Sequence, residues 1–383
     1  MSIFRPAYGH FSFRPFFIGL LFLGAACNKP SQTTSSPPVM QPLSLTPPAR
    51  LAKNIVLMIG DGMGLSQVSA GLYRNNNQLN LEQFPVIGLH KAYSSDNLIT
   101  DSAAGATAFA SGVKTYNGAI GMSNDQKPVP TILEQAEELG MATGMVVTST
   151  IVHATPAAFI AHAKDRSLYE DIALGYLQTE IDLAIGGGMK YFTRRKDMRN
   201  IYAQLQEKGY YVSNFSIEPL TDIALDFSKN LVYFTDESDP PTVQQGRNFL
   251  APASRLACNF LSRRSEKGFF LMIEAAQIDW AGHANNTGYL VAEMIDFDEA
   301  IGEVLQFAKE DGNTLVIVTG DHETGGFSIN QGSTRDSIIA GYTTDYHTGA
   351  LIPVFAYGPG ASLFAGIYEN YSIYHRMRTA MGW

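Results

Sequence analysis

Six short runs of consecutive apolar residues, separated by helical patterns, constrain the fold of this chain more than any other feature of its sequence. Such runs are typical of strands buried on both faces, because a strand with one solvated face alternates apolar with polar residues. The predicted strands cover residues 54–59, 143–148, 182–185, 269–273, 314–318 and 353–357. The predicted helices cover residues 102–111, 131–139, 169–178, 246–262 and 289–309. The sequence therefore predicts an α/β fold, with a mostly parallel central sheet and helices on both of its faces.

The composition sets limits on both size and partners. With 383 residues, 45 % of them apolar and 16 % charged, the chain can bury a large core and is not a disordered protein. Its formal net charge of −9 argues against a basic surface for nucleic acid, so we expect no nucleic-acid partner. An acidic protein can still bind anionic phosphate where metal cations and an arginine reverse the local charge.

The N-terminal segment indicates export. Arg5 and Arg14 precede an apolar run at 16–26, which ends in small residues directly before Cys27. This pattern is typical of a secretory signal, and the run is too short to span a bilayer of ~30 Å. It is also similar to a bacterial lipoprotein signal, in which the cysteine is acylated after cleavage. Ordinary secretion with an unmodified Cys27 is the alternative.

These observations predict a three-part chain. Residues 1–26 are a signal peptide, residues 27–50 form a linker rich in Pro, Ser and Thr, and residues 51–383 form one α/β domain. The expected location is the periplasm or the cell surface, with the protein attached to a bacterial membrane through a lipid on Cys27.

Acidic residues follow three of the predicted strands. Asp61 follows the first strand, Glu274 the strand at 269–273, and Asp321 with His322 the strand at 314–318. The carboxyl ends of parallel strands meet at one edge of a sheet, where ligands bind. A single acid in such a position is more often a helix cap or a solvated loop residue. Three together favour a metal cluster.

Two further histidines have settings that suit a metal. Asp279 and His283 are four residues apart, which places both on one face of a helical turn and suits zinc. A helical ion pair is the alternative for this pair. His347 lies shortly before the last predicted strand. A histidine whose ring is satisfied by hydrogen bonds in the core remains the alternative for each one separately.

A serine and an arginine complete the candidate site. Ser102 begins an alanine-rich helix, where free N–H groups and the positive end of the helix dipole favour a phosphate or a serine alkoxide. The alternative is that Asp101 or Ser102 only caps this helix. Arg166 could hold two phosphate oxygens through its planar guanidinium group, although alone it would be an ordinary surface arginine.

Taken together, the motifs resemble the alkaline phosphatase family. The matching segments occur in the family's order and span residues 54–360. They are MIGDGMG (58–64), TDSAAGATAFASG (100–112), HATPAA (153–158) with Arg166, EAAQIDWAGH (274–283), TGDHETGG (319–326) and HTG (347–349).

The resemblance implies two zinc ions and one magnesium ion, and the third site could instead hold zinc. It implies Ser102 as the nucleophile that becomes phosphoserine and Arg166 as the phosphate clamp, steadied by Asp101. The implied ligands are Asp279, His283 and His347 for one zinc, Asp61, Asp321, His322 and Ser102 for the other, and Asp61, Thr155 and Glu274 for the third ion.

This chain departs from the family in two ways that matter here. His153 and Trp280 stand where some bacterial members carry aspartate and lysine, and we expect both near the metals and the bound phosphate. Their substitution predicts weaker product binding; the alternative is that Trp280 packs over the site and His153 caps a loop. The short segment between Gly326 and His347 implies a small crown region. The family is often dimeric, so a homodimer is a candidate assembly.

The resemblance implies hydrolysis of small phosphate monoesters through a phosphoserine intermediate. A phosphodiesterase of the same superfamily is the first alternative, but such relatives tend to use threonine as nucleophile and lack the third metal. Ser102, Thr155 and Glu274 argue against it. A sulfatase is disfavoured because the chain has no Cys/Ser-x-Pro-x-Arg segment. A non-catalytic metal- or phosphate-binding lipoprotein would lack the nucleophile or a ligand, and neither is missing.

Overall fold

A ten-stranded sheet lies at the centre of the computed structural model, which describes Leu45 and residues 48–383. The strands of the chain are β1 (Asn54–Gly60), β2 (Val86–Lys91), β3 (Ala142–Thr150), β4 (Leu183–Gly187), β5 (Tyr211–Asn214), β6 (Leu231–Phe234), β7 (Phe269–Ala275), β8 (Thr314–Thr319), β9 (Glu323–Thr324), β10 (Ser328–Ile329), β11 (Ala340–Gly341), β12 (His347–Thr348), β13 (Leu351–Tyr357) and β14 (Gly366–Glu369). The order across the sheet is β14-β2-β13-β8-β1-β7-β3-β4-β6-β5. The pairs β9–β12 and β10–β11 form two separate short ribbons.

Helices cover both faces of this sheet. They are α1 (Leu65–Arg74), α2 (Ser102–Ser111), α3 (Ile132–Glu138), α4 (Ala154–Ile160), α5 (Tyr169–Gln178), α6 (Lys190–Thr193), α7 (Ile201–Glu207), α8 (Leu250–Arg264), α9 (Gln277–His283), α10 (Thr287–Asp311) and α11 (Ser372–Met381). Short 3₁₀ turns occur at Asn80–Gln83, Leu220–Asp222, Val243–Gln245 and Ala361–Phe364.

The central residues of strand β1, from Ile55 to Ile59, are all apolar because both faces of the strand are covered. Ile55, Leu57 and Ile59 belong to a core with residues of α2, α4 and α11, whereas Val56 and Met58 belong to a second core with residues of α8 and α10. Successive side chains of a strand point to opposite faces, so a strand covered on both faces needs apolar residues at every position. This confirms the predicted arrangement of a buried sheet between two helical layers.

One strand of the large sheet runs against the others. β13 pairs antiparallel with both β8 and β2, while the other neighbouring pairs in this sheet are parallel. Leu351, at the start of β13, therefore lies opposite Lys91, at the end of β2. This reversed direction brings the segment before β13, including His347, to the edge where the parallel strands end.

Each of the six predicted strands and five predicted helices is present, with ends shifted by four residues or fewer. The strands not predicted in the large sheet are β2, β5, β6 and β14, which lie in pairs at its two ends. Three of these four strands have only four residues, so their apolar runs are too short to stand out.

Residues Leu45–Trp383 form one compact unit. The predicted signal peptide, Cys27 and most of the predicted linker lie outside the described residues. Within the described part of the chain, no helix is both long and apolar enough to cross a membrane. The segment between Gly326 and His347, predicted as a small crown, contains the β10–β11 ribbon.

Candidate metal and phosphate site

The sequence-predicted site residues come together at the edge where the parallel strands end. Asp61 directly follows β1, Glu274 lies near the end of β7, and Asp321 and His322 follow β8. The register places Ile59 of β1 opposite Glu274 on one side and opposite Thr319 on the other, so the ends of these three strands are level. Helix α9 supplies Asp279 and His283, α4 supplies Thr155, and His347 precedes β13. Three groups of possible metal-binding side chains result: Asp279, His283 and His347; Asp61, Asp279 and His322; and Asp61, His153 and Glu274.

In the first group, two imidazoles face each other. The Nε2 atoms of His283 and His347 are 3.1 Å apart, and they lie 3.4 and 3.5 Å from the carboxylate of Asp279. Each Nδ1 lies within hydrogen-bonding distance of a carbonyl oxygen, that of Asp345 for His283 and that of Thr100 for His347. A carbonyl can only accept, so each Nδ1 carries a proton, and each ring, when it is neutral, directs an Nε2 lone pair inward. Two lone pairs and a carboxylate converging on one point suit a cation.

When no cation is bound, a proton on His283 can supply part of the positive charge next to Asp279. The hydrogen bond to Asp279 raises the pKa of His283 to about 9. Burial instead lowers the pKa of His347 to about 4, with a further lowering by His322. A bound cation would displace the proton from His283, because metal ions bind the deprotonated imidazole.

Thr324 connects the first group to the second. Its hydroxyl donates to the Asp279 carboxylate and lies 3.2 Å from Nδ1 of His322. Since the threonine proton is used by Asp279, the Thr324 oxygen accepts from His322 Nδ1–H. The Nε2 atom of His322 then carries no proton and presents a lone pair. One hydroxyl thus fixes the orientation of two candidate ligands, a common role for groups behind metal ligands.

The second group surrounds this Nε2 atom of His322. It lies 3.2 Å from Asp321, 3.5 Å from Asp61 and 3.3 Å from the hydroxyl of Ser102. Asp321 is itself held by the backbone N–H groups of Gly62 and His322, both of which donate to its other oxygen. The free oxygen of Asp321 and both oxygens of Asp61 are buried without a hydrogen-bond partner among the described residues.

The third group lies around Glu274. The hydroxyl of Ser149 donates to one Glu274 oxygen at 2.9 Å, and the other oxygen is buried without a partner among the described residues. The hydroxyl of Thr155 and Nδ1 of His153 are likewise buried without partners in that part of the chain. The resemblance implied Thr155 as the third ligand beside Asp61 and Glu274; the geometry adds His153 to this group.

The pKa values show how poorly these carboxyl groups tolerate burial without a cation. Burial, reinforced by Asp321, raises the pKa of Asp61 well above its usual range. Burial likewise raises the pKa of Glu274 to about 8 and that of Asp321 to about 6. Buried polar atoms without partners are costly and rare. Clustered carboxylate, imidazole and hydroxyl groups of this kind therefore fit divalent metal ions well.

Ser102 and Arg166 lie beside these groups, and Asp101, which precedes Ser102 in the chain, pairs with Arg166. Asp101 is the N-cap of α2, and one of its oxygens accepts from the N–H of Ala104 at 2.9 Å. Its other oxygen accepts from Gly118 N–H at 3.0 Å and from the Arg166 guanidinium at 3.1 Å. Burial opposes the charge of Arg166, but Asp101 and Asp61 outweigh it and raise the pKa of this guanidinium. Asp101 is thus both a helix cap and the residue that orients Arg166.

These side chains line an open cavity of about 380 Å³. Trp280 lies on its wall, with its ring edge-to-face against His153 at 5.9 Å between centroids. His153 also contacts Arg166, with 3.4 Å between Nε2 and the guanidinium. Both departures from the family pattern therefore border this cavity. The lining residues are Asp101, Ser102, His153, Arg166, Asp279, Trp280, His283, Tyr346 and His347.

Sequence reasoning missed several residues that support this site, among them Ser149, Thr324 and Tyr346. Thr324 lies inside the TGDHETGG motif, but a single hydroxyl two residues after His322 is not a pattern that predicts a supporting role. Tyr346 directly precedes His347 and stacks on its ring, with 4.4 Å between centroids. Only the folded chain shows that these side chains support the candidate ligands.

An α/β domain with a serine at a helix N-terminus, an adjacent arginine and three converging groups of metal-ligand side chains defines a metal-dependent hydrolase of phosphate esters. Comparison with known proteins specifies the class further. The family model described as "Alkaline phosphatase" matches residues 52–340. The chain belongs to the alkaline phosphatase family.

Several members of this family resemble the chain over most of its length. It is 32 % identical to alkaline phosphatase 3 of Bacillus subtilis, over 84 % of this chain and 87 % of that protein. It is also 32 % identical to the alkaline phosphatase of Escherichia coli, over 86 % of each. Among solved structures, the alkaline phosphatase from the Antarctic bacterium TAB5 is 45 % identical with a TM-score of 0.82, covering 87 % of this chain and 99 % of its own. A histidine-to-glutamate mutant of the TAB5 enzyme, with the same identity, TM-score and coverage, has Mg bound in its M3 site.

Proposed function

We propose that this protein hydrolyses small phosphate monoesters to an alcohol and inorganic phosphate, with Ser102 as the covalent nucleophile. The observation that carries this proposal is the position of Ser102. Its hydroxyl begins α2, points to His322 at 3.3 Å and lines the same cavity as Arg166. Family membership supports the activity, and the geometry supports the assignment of the serine.

The side chains suggest how each step proceeds. The phosphate group of the substrate binds between the N–H groups at the start of α2 and the guanidinium of Arg166, which Asp101 holds in place. The Ser102 hydroxyl then loses its proton and its oxygen forms a bond to phosphorus as the ester bond breaks, and the leaving alkoxide takes up a proton to become the alcohol. Water next attacks the phosphoserine, which releases inorganic phosphate and restores the Ser102 hydroxyl.

We assign the metal-binding side chains as two zinc sites and one magnesium site. Asp279, His283 and His347 would hold one zinc, and Asp61, Asp321 and His322 the other, next to Ser102. Asp61, Thr155 and Glu274 would hold magnesium, and His153 would favour zinc there. When bound, such cations neutralise charge on the phosphoryl oxygens and activate the attacking and leaving oxygens.

A paired assay tests the function as a whole. Hydrolysis of a phosphate monoester and of a phosphate diester should be measured side by side, with and without a chelator. We expect the monoester to be hydrolysed much faster, and only in the absence of the chelator. Faster hydrolysis of the diester would instead favour the phosphodiesterase alternative, and no hydrolysis of either would favour a binding protein.

His153 and Trp280 together are expected to set how tightly the product binds. Trp280 brings no charge to the cavity wall, and His153 is a partly buried, neutral imidazole because desolvation lowers its pKa to about 3. In the double variant His153→Asp with Trp280→Lys, an ammonium group would attract phosphate. We expect inhibition by inorganic phosphate to tighten several-fold and kcat to fall, because product release commonly limits turnover.

The measurement is the inhibition constant for phosphate in the double variant and in both single variants. The single variants separate the lysine charge from the effect of an aspartate near Glu274. Phosphate inhibition equal to that of the natural protein would contradict this role for His153 and Trp280, whatever happened to kcat.

We further propose that the protein is exported and anchored through a lipid on Cys27. The small residues before Cys27 and the Pro/Ser/Thr-rich segment after it support this proposal. One acyl chain gives only marginal membrane binding, so a multiply acylated cysteine is expected. Cys27→Ser should move the protein from the membrane fraction to the soluble fraction. Mass spectrometry of the mature N-terminus checks this directly, since an unmodified N-terminus at another residue would rule the anchor out.

A further inference from the structure

Glu323 is a buried carboxylate that none of the proposed catalytic roles uses. It lies between His322 and Thr324 in β9, the strand of the two-residue ribbon that pairs with β12. In this ribbon Thr324 is opposite His347, and Glu323 is opposite Thr348. The ribbon thus joins two candidate metal ligands that are 25 positions apart in the sequence, His322 next to one strand and His347 within the other.

The carboxylate of Glu323 accepts four hydrogen bonds from three separate parts of the chain. One oxygen accepts from the side-chain amide of Gln67 at 2.6 Å and from the N–H of Phe327 at 3.0 Å. The other accepts from the hydroxyl of Thr348 and from the N–H of Gly326 at 3.2 Å. These bonds fix the β9 strand, the turn that follows it and the β12 strand to one another.

Gln67 extends this network to the first helix. Its side-chain oxygen accepts from the N–H of Gly64 at 3.1 Å, and its amide also donates to the carbonyl of Thr324 at 2.9 Å. A Cβ atom at Gly64 would lie 2.6 Å from Cγ of Glu323, so the absence of a side chain at this position makes room for the carboxylate. The start of α1 is therefore shaped to receive Glu323.

We propose that Glu323 is a positioning residue that holds His322 and His347 in the arrangement needed to bind metal ions. This inference rests on the metal sites proposed above. The four donors approach in two pairs, one on each oxygen. A glutamine at this position has only one acceptor oxygen, so its NH₂ group would face a donor pair whichever way the amide points. Glu323→Gln therefore keeps the size of the side chain but disrupts the hydrogen bonds that join β9 to β12 and to the turn after β9.

Zinc binding by the metal-free protein tests this role. Each variant is titrated with Zn²⁺ in competition with a chromogenic chelator, and the melting temperature of its metal-free form is measured. We expect Glu323→Gln to weaken the binding of at least one zinc ion about tenfold, the usual scale for groups that orient metal ligands.

A matched control separates this role from a general loss of stability. Asp298 is also buried and accepts hydrogen bonds from neutral donors, the backbone and side chain of Asn80 and the N–H of Leu81. Asp298→Asn should lower the metal-free melting temperature to a similar degree and leave zinc affinity within about twofold, because Asp298 contacts no proposed ligand. Unchanged zinc affinity in Glu323→Gln, or equal weakening in Asp298→Asn, would overturn the proposal.

Thr348 provides a second test that keeps the carboxylate. Thr348→Val removes one of the donors to Glu323. It should weaken zinc binding about threefold, which is less than the tenfold weakening expected when Glu323 itself is changed. Thr348→Ser keeps the hydroxyl and should restore the natural affinity. If Glu323→Gln yields no soluble protein, the two Thr348 variants test the proposal by themselves. Equal zinc affinity in Thr348→Val and Thr348→Ser would contradict it. Because the titration measures no hydrolysis, a failure of the monoester assay leaves it interpretable.

Discussion

Replacing Ser102 with alanine should lower kcat/KM for phosphate monoesters by about 10⁴-fold or more, the range seen when a covalent nucleophile is removed. The structure places no other hydroxyl of the described residues both at the start of α2 and against His322. Without the Ser102 oxygen the phosphoserine cannot form. Some hydrolysis should persist, because Arg166 and the metal-binding groups still stabilise charge on the phosphoryl group.

Ser111 supplies a control on the same helix. It lies at the last position of α2, is also buried, and is remote from the end that begins with Ser102. Ser111→Ala should keep kcat/KM within a few-fold of the natural protein, and Ser102→Ala should still bind metal. A Ser102→Ala variant that retained more than a tenth of the natural kcat/KM would refute the serine assignment.

Removing the metal ions should reduce hydrolysis by at least about 10³-fold, because the several kcal/mol of charge stabilisation that metal ions supply corresponds to that factor. Zinc and magnesium together should restore the activity. The same treatment should lower the melting temperature. Without cations, Asp61 and Glu274 are buried with partnerless oxygens among the described residues. Ions that bind only the folded protein stabilise it by mass action.

The metal-free protein should also lose stability as the pH rises from about 6.5 to about 8. Glu274, with its pKa raised from 4.5 to about 8, and His283, with its pKa raised from 6.5 to about 9, stay protonated when folded after the unfolded chain has lost those protons. Stability from such groups is lost as the pH rises. His322, with its pKa lowered to about 4, has the opposite effect, but only below its unfolded value of 6.5.

Melting temperatures across this pH range, with and without metal, check the last two expectations. The metal-loaded protein should show a flatter profile, because bound cations keep the carboxyl groups ionised and displace the proton of His283. A metal-free protein with full activity would end the metal-dependent account. A metal-free protein that became more stable between pH 6.5 and 8 would show that the carboxyl groups are not clustered as described.

The central part of the fold could be predicted because burial on both faces leaves a clear mark on the sequence. The centres of β1, at 55–59, and of β8, at 315–318, are unbroken apolar runs, and the acids that follow these strands stand out against them. The strands at the two ends of the sheet could not be predicted in the same way, since they are short. The direction of β13 also leaves no mark, because an apolar strand reads alike in either orientation. That direction is nevertheless what brings His347 to the site.

The candidate site shows a similar division. Asp61, Asp321 and His322 could be predicted because ligand chemistry coincides with strand ends. Thr324 and Glu323 could not, because their contribution lies in hydrogen bonds to residues distant in the sequence, Asp279 and Gln67. A hydroxyl or a carboxylate beside a ligand has no distinctive spacing, so its role is visible only once the partners are placed.

The covalent role of Ser102 is tested most directly by trapping the intermediate. The metal-loaded protein should be mixed with a monoester that carries ³²P-labelled phosphate, quenched in acid during turnover, digested and analysed by mass spectrometry. We predict up to one labelled phosphate per chain, attached to the oxygen of Ser102 and absent from Ser102→Ala. Label recovered on a different residue, or the same label in Ser102→Ala, would contradict the account.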